Sequence, residues 1–125
     1  MATEVRYSRQ RATILDELAK NRIHPTAEEI YLLTRERIPN ISLGTVYRNL
    51  KFLLDEGKII GFTVDGKEHF DIDTKPHLHK FCKNCGSIED EFFNSDLLNN
   101  LKEELDNFSV KNIIIEGFCK NCREN

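Results

Sequence analysis

Four cysteines occur as two Cys-Lys-Asn-Cys pairs, Cys82–Cys85 and Cys119–Cys122, with 33 residues between them. A tetrahedral Zn²⁺ takes four thiolates, and each CxxC knuckle can present two. Four unligated buried thiols, or a thioredoxin-like redox pair, are the alternatives. Thioredoxin chemistry uses one CxxC at the start of a helix in a βαβ unit. Here there are two pairs, each follows a predicted strand, and only three residues succeed Cys122. The spacing therefore predicts a structural Cys₄ zinc site.

A second donor set lacks sulfur. His77 and His79 lie two apart on a predicted strand, so both imidazoles point to one face. Asp71 ends a predicted hairpin, Asp90 follows Cys85 by five residues, and His24 precedes the second helix. Three imidazoles and two carboxylates suit Fe²⁺ or Mn²⁺ by ligand character, although Zn²⁺ or Cu²⁺ binds tighter where available. Five protein ligands would leave a sixth octahedral position for a small molecule. The bland alternative stays open, because HxH recurs by chance and these histidines can simply be packed or surface polar groups. His69 fits no ligand geometry and is expected to be an exposed strand residue.

The elements that position these residues follow from periodicity and punctuation. Arg9–Lys20 carries Ile14, Leu15 and Leu18 at helical spacing, with Asn21 as terminator. Thr26-Ala-Glu-Glu29 is a capping box that opens a second helix with Ile30, Leu33 and Ile38 or its neighbours inward, broken at Pro39-Asn40. Ser42 caps a third, whose apolar positions are Leu43, Val46, Tyr47, Leu50, Leu53 and Leu54, and Gly57 closes it. Lys58–Val64 and Lys67–Ile72 flank Asp65-Gly66, a pair favoured in tight hairpins. Three helices and a hairpin is the order of a winged helix-turn-helix, with the third helix in the DNA major groove. Thr45, Arg48 and Asn49 fall on the face opposite the leucines. Tyr47, at the edge of the apolar stripe, is expected either to pack on the first helix or to touch a base. Lys67 and Arg11 are candidates for phosphate contact, with solvent exposure the equally common alternative.

The predicted organisation is α+β: a winged-helix DNA-binding domain at 1–72, a hinge at 73–76 ending in Pro76, and an α/β dimerisation and zinc-binding domain at 77–125. Within the last, strands are expected at His77–Cys82, Ser87–Phe93 and Val110–Phe118. A helix from Ser95 or Asp96 to Asn107 carries Leu97, Leu98, Leu101 and Leu105 on its apolar face. About 50 residues bury little core alone, and a metal or self-association are the usual remedies. The net charge of −3 hides an asymmetry: residues 1–60 hold 10 Lys/Arg against 8 Asp/Glu, and the rest hold 8 against 13. The basic half, with Arg6, Arg9, Arg11, Arg22, Arg48 and Lys51, permits nucleic-acid binding. No apolar run approaches the roughly 18 to 20 residues of a membrane helix, and no signal peptide opens the chain. The expected location is the cytoplasm, where thiols stay reduced. No activated nucleophile or phosphate loop is present, so an enzyme is not expected.

Taken in order, several segments resemble one family. They are Arg9-Gln-Arg-x-x-Ile14-Leu, His24-Pro-Thr-Ala-Glu-Glu-Ile-Tyr31, Ser42-Leu-Gly-Thr-Val-Tyr-Arg-Asn-Leu50, Phe70-Asp71, His77-x-His79-x-x-Cys82-x-x-Cys85-Gly86 and the terminal CxxC. Over essentially its whole length the chain resembles the ferric uptake regulator (Fur) family of bacterial metalloregulators. The resemblance implies a homodimeric repressor that binds a palindromic double-stranded operator when its regulatory metal is bound. Asp at both carboxylate positions is similar to the peroxide-sensing branch; iron-sensing members generally carry Glu. By resemblance the Fe²⁺ or Mn²⁺ ligands are His24, Asp71, His77, His79 and Asp90, and peroxide would oxidise His24 or His77. Glu89 adjoins Asp90, so a shifted strand would exchange the donor. Val110–Phe118 contains no histidine, which implies that an accessory site found in some members is absent. The likeness also favours DNA contact for Tyr47, which joins Ser42, Thr45, Arg48, Asn49, Arg11 and Lys67 in the expected DNA-binding set.

A metal joining His24 to the other half would fix the angle between the halves, and hence the spacing of two recognition helices. Coupling of about 1–3 kcal/mol would change DNA affinity 5- to 150-fold. Two other readings stay open: a repressor that reversibly senses iron, manganese or zinc, and a zinc-stabilised thiol redox or metal-carrier protein with no DNA target.

Overall fold

The structure is a computed structural model that describes residues 8–21, 24–75, 77–92, 95–110 and 112–123. Arg6, Arg22, Pro76 and Phe93, named from the sequence, lie outside the described residues. The chain divides into two compact units, Met1–Thr74 and Lys75–Asn125.

The first unit holds three helices, α1 (Arg9–Lys20), α2 (Ala27–Arg35) and α3 (Leu43–Asp55), then strands β1 (Ile60–Val64) and β2 (Lys67–Asp71). Each helix starts on a side-chain cap that satisfies an otherwise unpaired N–H. Ser8 accepts from Arg11, Ser42 accepts from Thr45, and Thr26 and Glu29 form a reciprocal capping box. α2 ends at Arg35, earlier than Ile38, because Pro39 has no N–H to continue it. Ile38 is nevertheless buried, held in the following turn by its N–H on the Thr34 carbonyl at 2.9 Å. Thr34, not Leu33, is the fully buried residue of that turn. Gly57 takes φ 73° and ends α3, and the Lys58 N–H bonds the Leu53 carbonyl. Asp65 and Gly66 both have positive φ, 53° and 78°, as the tight turn between β1 and β2 requires. That turn sets the antiparallel register Val64↔Lys67, Phe62↔His69 and Ile60↔Asp71. Ile14, Leu18, Ile30, Val46, Leu50, Leu53, Ile59 and Phe70 form one buried cluster. Burying each such side chain is worth about 1.5–3 kcal/mol.

The second unit is a three-stranded sheet in the order β4-β3-β5, built from β3 (Leu78–Cys82), β4 (Ile88–Glu91) and β5 (Ile113–Gly117). The knuckle Cys82–Cys85 turns β3 into antiparallel β4, and α4 (Ser95–Glu104) lies in the connection to β5, which runs parallel to β3. All three strands are shorter than expected, and α4 stops at Glu104 instead of Asn107. Its apolar face is only partly covered: Leu98 and Leu101 are half-buried, Leu97 is 41% exposed and Leu105, beyond the helix end, 49%. Phe92, Phe108, Ile115 and Phe118 are also exposed. Among the described residues of this unit, Leu78 and the half-cluster Cys82 and Cys122 are the buried apolar ones. No helix of the described residues is long and apolar enough to cross a membrane.

Candidate functional site

The two knuckles meet. Parallel pairing of β3 with β5 aligns Cys82 with Gly117 and brings Cys119 and Cys122 onto the first turn, where Lys83 N–H bonds the Gly117 carbonyl at 2.8 Å. The four Sγ atoms lie within 4.8 Å of one another, and those of Cys85 and Cys119 are 3.9 Å apart. Tetrahedral bonds of about 2.3 Å put sulfurs about 3.8 Å apart, so the donor set fits zinc. Its protonation fits too. The backbone N–H groups of Cys85 and Cys119 point at Cys82 Sγ, at 3.5 and 3.4 Å, and pull that thiol down to about 6. The Ser87 hydroxyl likewise lowers Cys85. At Cys122 the Asn84 side chain favours the thiolate, but contact with Cys119, burial and the other two sulfurs outweigh it and push the thiol up to about 11. Four adjacent thiolates repel one another, and a divalent cation is what lets all four ionise together.

A second donor set lies at the opposite end of β3. His79 pairs with Asp90 across the β3–β4 ladder, and His77 precedes the strand on the same face. His77 Nδ1 lies 2.7 Å from the Lys75 carbonyl, which can only accept, so Nδ1 carries the proton and Nε2 keeps its lone pair. His77 Nε2 is 3.1 Å from His79 Nε2, and Asp90 Oδ1 is 3.3 and 3.4 Å from those two nitrogens. Donors cis to one another on a six-coordinate ion, with bonds of about 2.1 Å, lie about 3 Å apart. Two imidazoles and a carboxylate at that spacing, His79 fully buried and His77 nearly so, fit a hard-to-borderline divalent ion. The register turns Glu89 to the other face, where it pairs with Lys80.

In the first unit, His24 Nε2 lies 3.4 Å from Asp71 Oδ2, and both side chains are buried. His24 has φ 58°, in the left-handed region that a side chain disfavours. Its loop is stitched to β2 twice: Phe70 N–H bonds the Pro25 carbonyl at 3.0 Å, and His69 Nδ1 lies 2.7 Å from the His24 carbonyl. His69 is therefore half-buried, contrary to the exposed position expected for it. Its signal was in the hairpin: a two-residue turn at Asp65-Gly66 places His69 opposite Phe62, and their rings stack at 5.8 Å.

On α3, Arg48 is exposed and its guanidinium donates to the Thr45 hydroxyl at 2.9 Å; Lys67 is exposed on the hairpin. The Ser42 hydroxyl is occupied as the helix cap. Asn49 is half-buried, donating to the Thr45 carbonyl and accepting from Arg11 at 3.3 Å, while Arg11 also lies over the Phe52 ring at 4.2 Å. Tyr47 is 45% exposed and its hydroxyl donates to Glu28 on α2, a residue the sequence reading passed over.

The sequence profile of the Ferric uptake regulator family matches residues 2–118. The chain is 36% identical over 124 residues to the peroxide-responsive repressor PerR of Staphylococcus epidermidis, covering 96% of this chain and 83% of that one. Among solved structures it is similar to the ferric uptake regulator Fur of Helicobacter pylori, with TM-score 0.81 and 27% identity over 97% of this chain and 84% of that one. It is also similar to the peroxide stress regulator of Campylobacter jejuni, with TM-score 0.77 and 31% identity over 90% and 88%. The chain belongs to the ferric uptake regulator family.

Proposed function

We propose that the chain is a metal-dependent, DNA-binding transcriptional repressor that responds to peroxide through oxidation of a histidine. The observation that carries this reading is the sulfur-free donor chemistry: His77, His79 and Asp90 at ion-ligand spacing, and His24 facing Asp71. We take these as two contributions to one regulatory site for Fe²⁺ or Mn²⁺. Carboxylates and imidazoles without sulfur suit Fe²⁺ or Mn²⁺ by ligand character, and the thiolates are grouped in the separate zinc set. The likeness to peroxide-responsive repressors supports the same assignment. Fe²⁺ held by these residues would supply the redox chemistry that activates peroxide beside the imidazoles. Net, a ring C–H of His24 or His77 would take up one peroxide oxygen and the other would leave as water, peroxide being the two-electron oxidant and iron not consumed. The oxidised ring would be a poorer donor, and the site would hold its ion less tightly. No turnover follows, and the protein is a one-shot regulator, not an enzyme.

Residues 1–72, within the first unit, are the DNA-binding domain, with α3 in the major groove and Thr45, Tyr47, Arg48 and Lys67 at the bases or backbone. Ser42, Asn49 and Arg11 act there chiefly by shaping the helix, given their internal bonds. Residues 77–125 form a homodimer through the exposed apolar face of α4 and β5, and residues 73–76 are the hinge between the two. A palindromic operator follows from a two-fold dimer. The place of action is the cytoplasm, where the chromosome is and where thiolates stay reduced. Anisotropy titration of labelled promoter fragments tests the reading. Binding should require Mn²⁺ or Fe²⁺, and dilute peroxide should abolish it with Fe²⁺ and spare it with Mn²⁺. Metal-independent binding would refute it.

A further inference from the structure

We propose that His69 is a positioning residue for the regulatory metal: its Nδ1–H holds the His24 carbonyl and so fixes the left-handed backbone that aims the His24 imidazole at Asp71. The inference rests on the reading that His24 is a metal ligand. His24 has φ 58° and is followed by Pro25. Proline disfavours the right-handed helical well for the residue before it, leaving extended backbone as the easy choice. The left-handed conformation therefore persists only if neighbours impose it.

The imposing groups are on β2. His69 Nδ1 sits 2.7 Å from the His24 carbonyl oxygen, a short contact for a nitrogen donor. A carbonyl accepts and never donates, so the His69 ring carries its proton on Nδ1. Two residues further, on the same face of the strand, Asp71 reaches His24 Nε2 at 3.4 Å. One strand thus grips the ligand at its backbone and at its ring. Phe62 fills the space between: its ring stacks on His69 at 5.8 Å and meets the His24 ring edge-on at 5.7 Å. A backbone turned back to extended at position 24 would swing the imidazole off Asp71. Groups behind a ligand that fix its orientation typically change metal affinity 10- to 100-fold when removed.

The test compares wild type with His69→Leu, His69→Gln and His24→Ala, each carrying its zinc. Regulatory Mn²⁺ affinity is measured by titration. The oxidation of Fe²⁺-loaded protein by peroxide is read as the ratio of oxygen adduct on the His24 peptide to that on the His77 peptide. His69→Leu should lose Mn²⁺ affinity about tenfold and lower the ratio, with zinc content unchanged, and His69→Gln, which keeps an N–H, should recover most of both. Unchanged affinity and ratio in His69→Leu, with His24→Ala impaired, would overturn the role of His69 alone. Unchanged Mn²⁺ binding in His24→Ala would overturn the ligand reading and the proposal with it. If His69→Leu does not fold, imidazole ¹⁵N shifts of the wild type decide: Nδ1–H at His69 supports the proposal and Nε2–H overturns it.

Discussion

The Tyr47 hydroxyl of α3 donates its single proton to the Glu28 carboxylate of α2 over 2.9 Å. The oxygen of that phenol can therefore only accept from anything it meets on the exposed face of the helix. Adenine N6 and cytosine N4 amino groups are matching donors in the major groove, whereas a phosphate oxygen is not. Glu28→Gln offers an amide N–H to the phenol and frees its proton, so base preference at the contacted position should change. Selection from random duplex DNA checks this, and identical preferences would show that Tyr47 does not read a base.

The same bond sets a pH dependence. It holds the Glu28 carboxyl below its usual range and, from Glu28, raises the Tyr47 phenol above 10.0. The phenol's contribution to stability is thus present below its ordinary value and is lost as pH rises through the raised one. That of Glu28 is present above its ordinary value near 4.5 and fades as pH falls through the lowered one. In an ultraviolet titration of the three tyrosines, one should ionise late in the wild type and not in Glu28→Gln.

Removing the zinc should undo the second unit before the first. That sheet buries little apolar surface among its described residues, while structural zinc is worth about 10–16 kcal/mol in small domains. Cys119→Ser or a strong chelator should release the metal and expose the chain after residue 77 to protease. Zinc assay and limited proteolysis read both effects. A protease-resistant, zinc-free sheet would contradict the structural role.

Leu50→Ala tests the independence of the two units. Leu50 is 1% exposed in the helical core, and such truncations cost about 2–5 kcal/mol. Thermal melting of the helices should fall while zinc content holds.

What could be read from the sequence was what local chemistry dictates. Thr26 and Ser42 cap and Asp65-Gly66 turns, because each depends on a few adjacent residues, and the two CxxC pairs, separated by 33 residues, were legible because one tetrahedral metal needs four thiolates. Three points needed the tertiary structure. Glu28 was invisible as a partner for Tyr47 because 19 residues and a helix crossing separate them. His69 was misjudged because a strand residue's burial depends on what packs over it, here the His24 loop and Phe62. Glu89 and Asp90 could not be separated until the β3–β4 register was known, since one residue of slip exchanges faces.

The most direct measurement is peptide mass mapping of the Fe²⁺-loaded, zinc-containing protein before and after brief dilute peroxide, with the Mn²⁺ form as control. One added oxygen atom on the His24 or His77 peptide, only with Fe²⁺ and in step with loss of DNA binding, is the predicted result. DNA release without a histidine adduct, or oxidation confined to Cys82, Cys85, Cys119 and Cys122, would contradict it.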